Sequence, residues 1–357
     1  TNPRGFSCIA LTHVATDEGL KASLAKRRLL FWRRFLKRLN VGFGRRRSSG
    51  EIVDCRMKAS IARGDSAEDF PLRGTGFPWT GSGSSAEGAD DGERKGFTMR
   101  LTMLGTGHAL ATKCYNACFV LQDGEMGKAP GRAFLVDAGG GNGILTQLER
   151  AGIDWHSIHD LFVTHTHVDH LLGSVWILRV VCYGMECGNY RGEFHFWGND
   201  EVVAAADKLA HMLLRPSEST FIGKRVFLHA VEDGDTAQIL GRPVTFFDIH
   251  STGSAKQFGF TMEYAPGKVF ACSGDEPLTS ENFSHVEGAT WLVHEAYCCH
   301  TDIDRYNPHP IHHGTVREEC ATAEHLSVEN LVLYHTEDDD LAHRKERSVA
   351  EGRSVYG

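Results

Sequence analysis

Histidine is nearly absent from the first 98 residues of this 357-residue chain: His13 stands alone there, and the other 19 of 20 follow. Long apolar runs are missing throughout. None approaches the ~20 residues that a membrane-crossing helix needs, which excludes integral membrane contact through such a helix. The ten cysteines lack the spacing of a zinc ribbon or of a small disulfide scaffold. Cys298-Cys299 is an adjacent pair, a poor disulfide geometry, and the cysteines are expected to be reduced thiols of a cytoplasmic protein, most of them buried as small hydrophobes. With 41% hydrophobic and 24% charged residues, the composition excludes collagen-like, coiled-coil and wholly disordered chains.

Charge is distributed as unevenly as histidine. Residues 1–98 carry 18 basic and 11 acidic side chains, and residues 99–357 carry 20 and 35, for a whole-chain net of −8. Residues 24–39 (LAKRRLLFWRRFLKRL) read as an amphipathic helix, with Leu24, Trp32, Phe35, Leu36 and Leu39 on one side and basic residues on the other. Such a face suits an anionic membrane surface or RNA. Residues 73–96 are rich in Gly, Ser and acidic residues and read as a linker. At Met99 the style changes: MRLTMLGTG reads as a first strand and a glycine turn. The folded protein is therefore expected to start near Met99, with 1–98 a basic extension, disordered or non-native. The chain is expected to be cut short at Tyr356-Gly357.

From residue 99 on, apolar strand-like runs recur at 117–122, 132–138, 160–165, 192–198, 225–230, 243–250, 258–264, 268–275, 289–295 and 330–335. Helix-like stretches lie at 143–151, 170–182, 199–213, 314–326 and 338–350. Strands outnumber helices and many adjoin in sequence, which predicts hairpins as well as crossovers and a layered α/β protein with helices outside. Five of the strands run into polar residues able to bind metal: His165, His250, Asp275, His294-Glu295 and His335. A strand end is a rigid place from which to aim a ligand, so five of them suggest one shared site.

The strongest local signal is THTHVDH, residues 164–170, which offers His165, His167, Asp169 and His170 within six positions. Alternation along a strand cannot aim all four at one ion, but a loop at a strand end can aim two at each of two ions. Imidazole and carboxylate ligands suit Zn²⁺, and Mn²⁺ or Fe²⁺ less selectively.

This motif resembles the His-x-His-x-Asp-His hallmark of the metallo-β-lactamase superfamily, and the resemblance extends over 99–357. LVDAGGG, with Asp137, resembles the first motif, whose Asp props the metal loop. His250, Asp275 and His335 resemble the third-, fourth- and fifth-motif ligands. The implied fold is an αββα four-layer sandwich, making 99–357 a hydrolase domain. The resemblance implies two divalent metal ions, Zn²⁺ first and Mn²⁺ second. One would take His165, His167 and His250, and the other Asp169, His170 and His335, with Asp275 bridging. A bridging hydroxide would be the nucleophile, with Asp169 counted in the catalytic set.

Within the superfamily, LGTGHALATKCYNACFVL (104–121, with Asn116), the Phe-Gly-Phe strand after His250, LVHEAY (292–297) and HGTVREECATAEHL (313–326) resemble ribonuclease Z and its relatives. That likeness implies that Glu295 orients His313 beside the scissile phosphate, where an imidazolium stabilises an oxyanion or protonates a leaving alkoxide. His294 is expected to be a structural strand residue, His108 a rim candidate, and His300, His309 and His312 an exposed loop. The long tRNA-gripping arm of ribonuclease Z has no room in the 25 positions between His250 and Asp275, and TEDDDLAHRKE replaces the family's ending after His335. The acidic domain opposes a polyanion.

The expected activity is thus a binuclear phosphodiesterase acting on a small phosphodiester. The alternatives are a tRNA 3′-processing endoribonuclease acting on RNA, and a hydrolase of thioesters, lactones or sulfate esters. A non-enzymatic binding protein on a degenerate fold would lack ligands, and all seven are present. The resemblance also allows a homodimer.

Overall fold

The computed structural model describes residues 69–72, 97–125 and 131–357. The amphipathic stretch 24–39 and the linker 73–96 lie outside the described residues. Two sheets are present. The first runs in the order β1 (Asp69–Leu72), β2 (Phe97–Gly105), β3 (Cys118–Glu125), β4 (Ala133–Val136), β5 (Ile158–Phe162), β6 (Phe194–Gly198), β7 (Val226–Ala230). The second runs β13 (Leu331–Tyr334), β12 (Trp291–Glu295), β11 (Lys268–Cys272), β10 (Phe258–Ala265), β9 (Arg242–Asp248), β8 (Thr236–Ile239). The edge strand β1 comes from the stretch assigned to the extension and pairs antiparallel with β2, Leu72 opposite Met99.

Five helices of eight residues or more accompany them among the described residues: α1 (Gly143–Arg150), α2 (Val168–Glu186), α3 (Asp200–Leu213), α4 (Val316–His325) and α5 (Arg344–Gly352). The helix read over 338–350 begins only at Arg344. Its first residues are instead a turn in which the Asp338 carboxylate accepts from the Thr112 and Lys113 N–H groups.

Period-2 alternation explains how the strands stack into layers. On β3, Phe119 and Leu121 face the second sheet, while Cys118 and Val120 face helices α1–α3. Phe134 meets Phe260 edge-on at 5.4 Å, and Phe162 lies 5.2 Å from Phe246. The outer face of the second sheet packs Ala271, Leu292 and Leu333 against Val316, Cys320 and Ala323 of α4. The result is the four-layer αββα sandwich. By length and composition α2 could cross a membrane, but two thirds of its apolar window is buried inside the protein, so its hydrophobicity is that of a core helix.

Strands β4 to β7 run parallel, as do β11 to β13. Their carboxyl ends therefore lie at one edge of each sheet, the place where open α/β sheets present functional loops.

Candidate metal centre

The centre is built from turns that follow these strand ends. Asp137 (φ 54°), His250 (φ 53°) and His335 (φ 54°) are all left-handed, a conformation that non-glycine residues adopt at a cost of about 1–2 kcal/mol each. Each turn redirects a side chain that a continuing strand would have sent to one face or the other. Such strain persists where surrounding contacts hold it, typically at functional sites.

Asp137 is the prop of the histidine loop. Its carboxylate accepts from the Thr164 N–H at 2.9 Å, from Thr164 Oγ1 at 3.1 Å, and from His170 Nδ1 at 2.8 Å. The last bond fixes the His170 tautomer and leaves Nε2 bare. Helix α2 starts directly behind, with His167 at its N-cap position and Asp169 in the first turn, where the helix dipole favours a carboxylate. Its close approach requires Gly173: a Cβ there would lie 1.8 Å from the Ala138 carbonyl oxygen.

Two overlapping groups of ligand atoms result, His165–His170–Asp275 and Asp169–His170–His335, every residue buried. Asp275 Oδ2 lies 3.4 Å from His165 Nε2, 3.3 Å from His170 Nε2 and 3.4 Å from His335 Nε2. Asp169 Oδ2 lies 3.3 Å from His335 Nε2 and 3.4 Å from His170 Nε2. Four buried atoms here, His165 Nε2, His170 Nε2, Asp275 Oδ1 and His335 Nδ1, have no hydrogen-bond partner. Orphaned buried polar atoms are costly, and convergent imidazole nitrogens with carboxylates form a donor set that fits divalent cations.

Electrostatics agree. Burial pushes His165 well below the usual imidazole range, against the opposing pull of Asp275. Burial alone would raise the Asp275 carboxyl, but the facing His165 and His335 hold it well below the carboxylate range. Asp169 is likewise held down, burial being outweighed by His170 and His335.

The geometry redistributes the expected ligands. Five of the seven, His165, Asp169, His170, Asp275 and His335, come together. His165 groups with His170 and Asp275 instead of with His167 and His250. His167 is exposed, its ring 4.5 Å from that of His165. His250 is also exposed and turned outward, its Nε2 3.8 Å from Glu281. The left-handed turn at 250 sets the direction of that side chain, which strand periodicity cannot predict.

Glu295 and His313 also come together at the centre, with their contacts divided between side chain and backbone. The two residues are neighbours, but Glu295 Oε2 is 3.6 Å from His313 Nδ1, beyond a good hydrogen bond. Glu295 Oε1 instead accepts from the Gly314 N–H at 2.6 Å, so it holds the backbone next to the imidazole. His313 Nδ1 donates to the Asp275 carbonyl at 2.8 Å, which leaves Nε2 for the pocket. The ring stacks on Tyr297 at 5.1 Å and lies 4.9 Å from the His335 ring.

A cavity of about 330 Å³ opens over these groups. It is lined by His167, Asp169, Asp275, His313 and His335 together with Gly253, Ser254, Gln257, Glu276, Ile311 and His312. His312 is exposed, as expected of its loop, and also lines the cavity, its Nδ1 2.8 Å from Thr252 Oγ1. Glu276 was not singled out by the sequence. Its buried carboxylate accepts from Ser251 Oγ, the Thr252 N–H and Gln257 Nε2, pinning the loop after His250 beside Asp275. Its only sequence signal was its position next to Asp275. His108 stands behind the cavity, its ring 4.9 Å from that of Tyr297.

The fold and this centre are those of a metal-dependent hydrolase of the metallo-β-lactamase superfamily. Residues 99–351 match the family described as "Anti-Pycsar protein Apyc1", and the chain belongs to that family. Ribonuclease Z of Brevibacillus brevis is 24% identical over 304 residues, spanning 72% of this chain and 92% of that protein. Among solved structures, the metallo-β-lactamase fold protein YhfI from Bacillus subtilis aligns with a TM-score of 0.57 at 14% identity, covering 72% of this chain and 93% of its own. Unliganded yeast PDE1 aligns at 0.53, also at 14% identity, with 72% and 93% coverage.

Proposed function

We propose that the protein is a binuclear metal-dependent phosphodiesterase acting on a small phosphodiester. The observation that carries this reading is the convergence of five buried ligand-type side chains, with orphaned atoms, beneath a cavity that also receives His313. Divalent ions in such a centre supply Lewis acidity and lower the pKa of water. His165, His170 and Asp275 would hold one ion, and Asp169, His170 and His335 the other. Zn²⁺ suits these donors best, Mn²⁺ next. His167, on the 164–170 loop and lining the cavity, is proposed as a completing ligand, whereas His250, two residues after β9, would complete the set only by turning inward from its outward position.

The chain's own residues then divide the work. His313, with its Nδ1 proton committed to the Asp275 carbonyl, keeps Nε2 available to carry a proton to or from the oxygen of a phosphate ester. Glu295 fixes the backbone beside it. The residues between His250 and Asp275 are taken up by a turn and the hairpin β10–β11, which supports an armless site. A cavity of about 330 Å³ suits a single nucleotide-sized ester. The acidic balance of residues 99–357 disfavours a long polyanion. Free thiols at Cys114, Cys118, Cys182, Cys272, Cys298 and Cys299 fit a reducing, cytoplasmic setting.

A second reading, tRNA 3′-end cleavage, is favoured by the match to ribonuclease Z along 92% of that protein's length. The test compares rates of the Zn²⁺-loaded protein on bis(p-nitrophenyl) phosphate, on 3′,5′-cyclic nucleoside monophosphates and on a 3′-extended tRNA precursor. Preference for the small esters supports the proposal. Site-specific cleavage of the precursor with slow turnover of the small esters overturns it in favour of the second reading.

A further inference from the structure

Behind the cavity lies a polar chain sealed from solvent. His294, on β12 one residue before Glu295, is fully buried. Ser273, in the turn that leads to Asp275, is also fully buried, and its Oγ lies 2.6 Å from His294 Nδ1. On the other side Glu319 of α4, 2% exposed, places Oε2 2.6 Å from His294 Nε2. Both imidazole nitrogens thus have partners that an imidazolium satisfies by donating twice, and the Ser273 hydroxyl then points on to the Val293 carbonyl at 3.5 Å. Burial lowers the His294 pKa, but Glu319 outweighs it and the net shift is upward. A serine, a histidine and a glutamate in line form a familiar hydrolytic set. Here no substrate can reach Ser273, so the set must act on the protein itself.

What it touches shows how. To reach His294, the Glu319 carboxylate passes through the space beside residue 314. A Cβ on Gly314 would sit 1.7 Å from Glu319 Oε1 and 3.3 Å from Glu295 Oε1, so only glycine admits both carboxylates. Gly314 directly follows His313, and its N–H is the one Glu295 accepts. The chain Ser273–His294–Glu319 therefore ties together the turn that carries Asp275, the strand end that carries Glu295 and the helix start that carries His313. The acceptor of the His313 Nδ1 proton is the Asp275 carbonyl, so the register between these segments sets the orientation of His313.

We infer that Glu319, through His294 and the gap at Gly314, is a positioning residue for His313. The inference rests on the phosphodiesterase reading of the cavity. It predicts that Glu319→Ala in the full Zn²⁺-loaded chain lowers kcat on bis(p-nitrophenyl) phosphate by roughly 10- to 100-fold, with KM and bound metal unchanged. Glu319→Gln, which keeps an acceptor oxygen, recovers most of that loss. Nitrogen-15 NMR of the imidazoles gives a readout independent of turnover: the His294 Nε2 proton resonates far downfield in the wild type and is lost in Glu319→Ala, and the His313 Nδ1 signal moves. An unmoved His313 signal, or unchanged kcat in Glu319→Ala, overturns the inference. If Glu319→Ala does not fold, His294→Gln, which breaks the same chain at its middle, takes its place, with the His313 Nδ1 signal expected to move and an unmoved signal counting against the inference. Should the wild type hydrolyse no phosphodiester, the functional reading falls, and the His313 signal still decides the positioning role.

Discussion

Asp275 and His170 carry the heaviest load at the scale of single residues. His170 belongs to both ligand groups, and Asp275 Oδ2 approaches three imidazoles at once. Removing Asp275 leaves those histidines without their shared counter-charge, so Asp275→Ala is expected to abolish binding of two metals and to abolish turnover. Metal titration monitored by atomic emission checks this; a variant retaining two ions and near-normal rates would refute the site. His313→Ala should behave differently, keeping both ions while losing roughly 100-fold in kcat. The buried His294–Glu319 pair has a signature in stability. Its raised imidazole pKa means that the folded state binds the proton more tightly than the unfolded chain. The stabilisation is therefore complete below the ordinary imidazole value of about 6.5 and fades as pH rises through the folded value. Glu295, raised by burial and by Glu319, contributes with the same sign. His294→Gln should flatten the fall of Tm with rising pH relative to the wild type, as followed by thermal melts between pH 6 and 9.

Among the elements, α2 and its docking decide whether the loop 164–170 is presented correctly. Its first turn carries Asp169 and His170, and its approach to the first sheet depends on the missing Cβ at Gly173. Gly173→Ala places a methyl group against the Ala138 carbonyl and must push the helix outward. It is expected to cost about 1–3 kcal/mol and to weaken metal affinity, although no ligand is changed; calorimetry and a zinc titration together would check it. Much of this element could be read in advance. Strand β5, the ligand-rich loop and a helix-like continuation are all apparent in DLFVTHTHVDHLLGSVWIL. The helix expected over 338–350 begins only at Arg344, because Asp338 spends its carboxylate on the backbone of residues 112 and 113. Strand β8 is only four residues long, with exposed Thr236 and Gln238, and offers too little alternation to be recognised.

For the molecule as a whole, the metal centre joins the two sheets. His165 and Asp169 come from the end of the first sheet, and Asp275 and His335 from the second. Ions bound there would bridge the two halves and satisfy atoms that otherwise lack partners. Chelation is therefore expected to lower Tm by several degrees, and added Zn²⁺ to restore it in a concentration-dependent way. A Tm indifferent to chelator would mean that the donors satisfy one another without a cation. The apolar interface between the sheets, with Phe119, Phe134, Phe162, Phe246, Phe260 and Phe270, keeps the fold itself from depending on the metal.

The sequence by itself determined the ligand-type residues, their places at strand ends and a layered α/β protein with helices outside, because alternation of apolar residues and the THTHVDH run are local properties of the chain; the αββα order came with the resemblance of its motifs. The same resemblance put Asp137, Glu295 and His313 near the centre. Only the tertiary structure decided which side chains converge. His165 and Asp275 are 110 positions apart, and left-handed turns at 137, 250 and 335 set directions that no periodicity encodes. The tertiary structure alone gave Glu295 a backbone partner, sent His250 outward and drew His312 and Glu276 to the cavity. It also assembled Ser273, His294 and Glu319 from two strand ends and a helix, since a buried hydrogen-bond chain depends on distances that exist only once both sheets and α4 are packed.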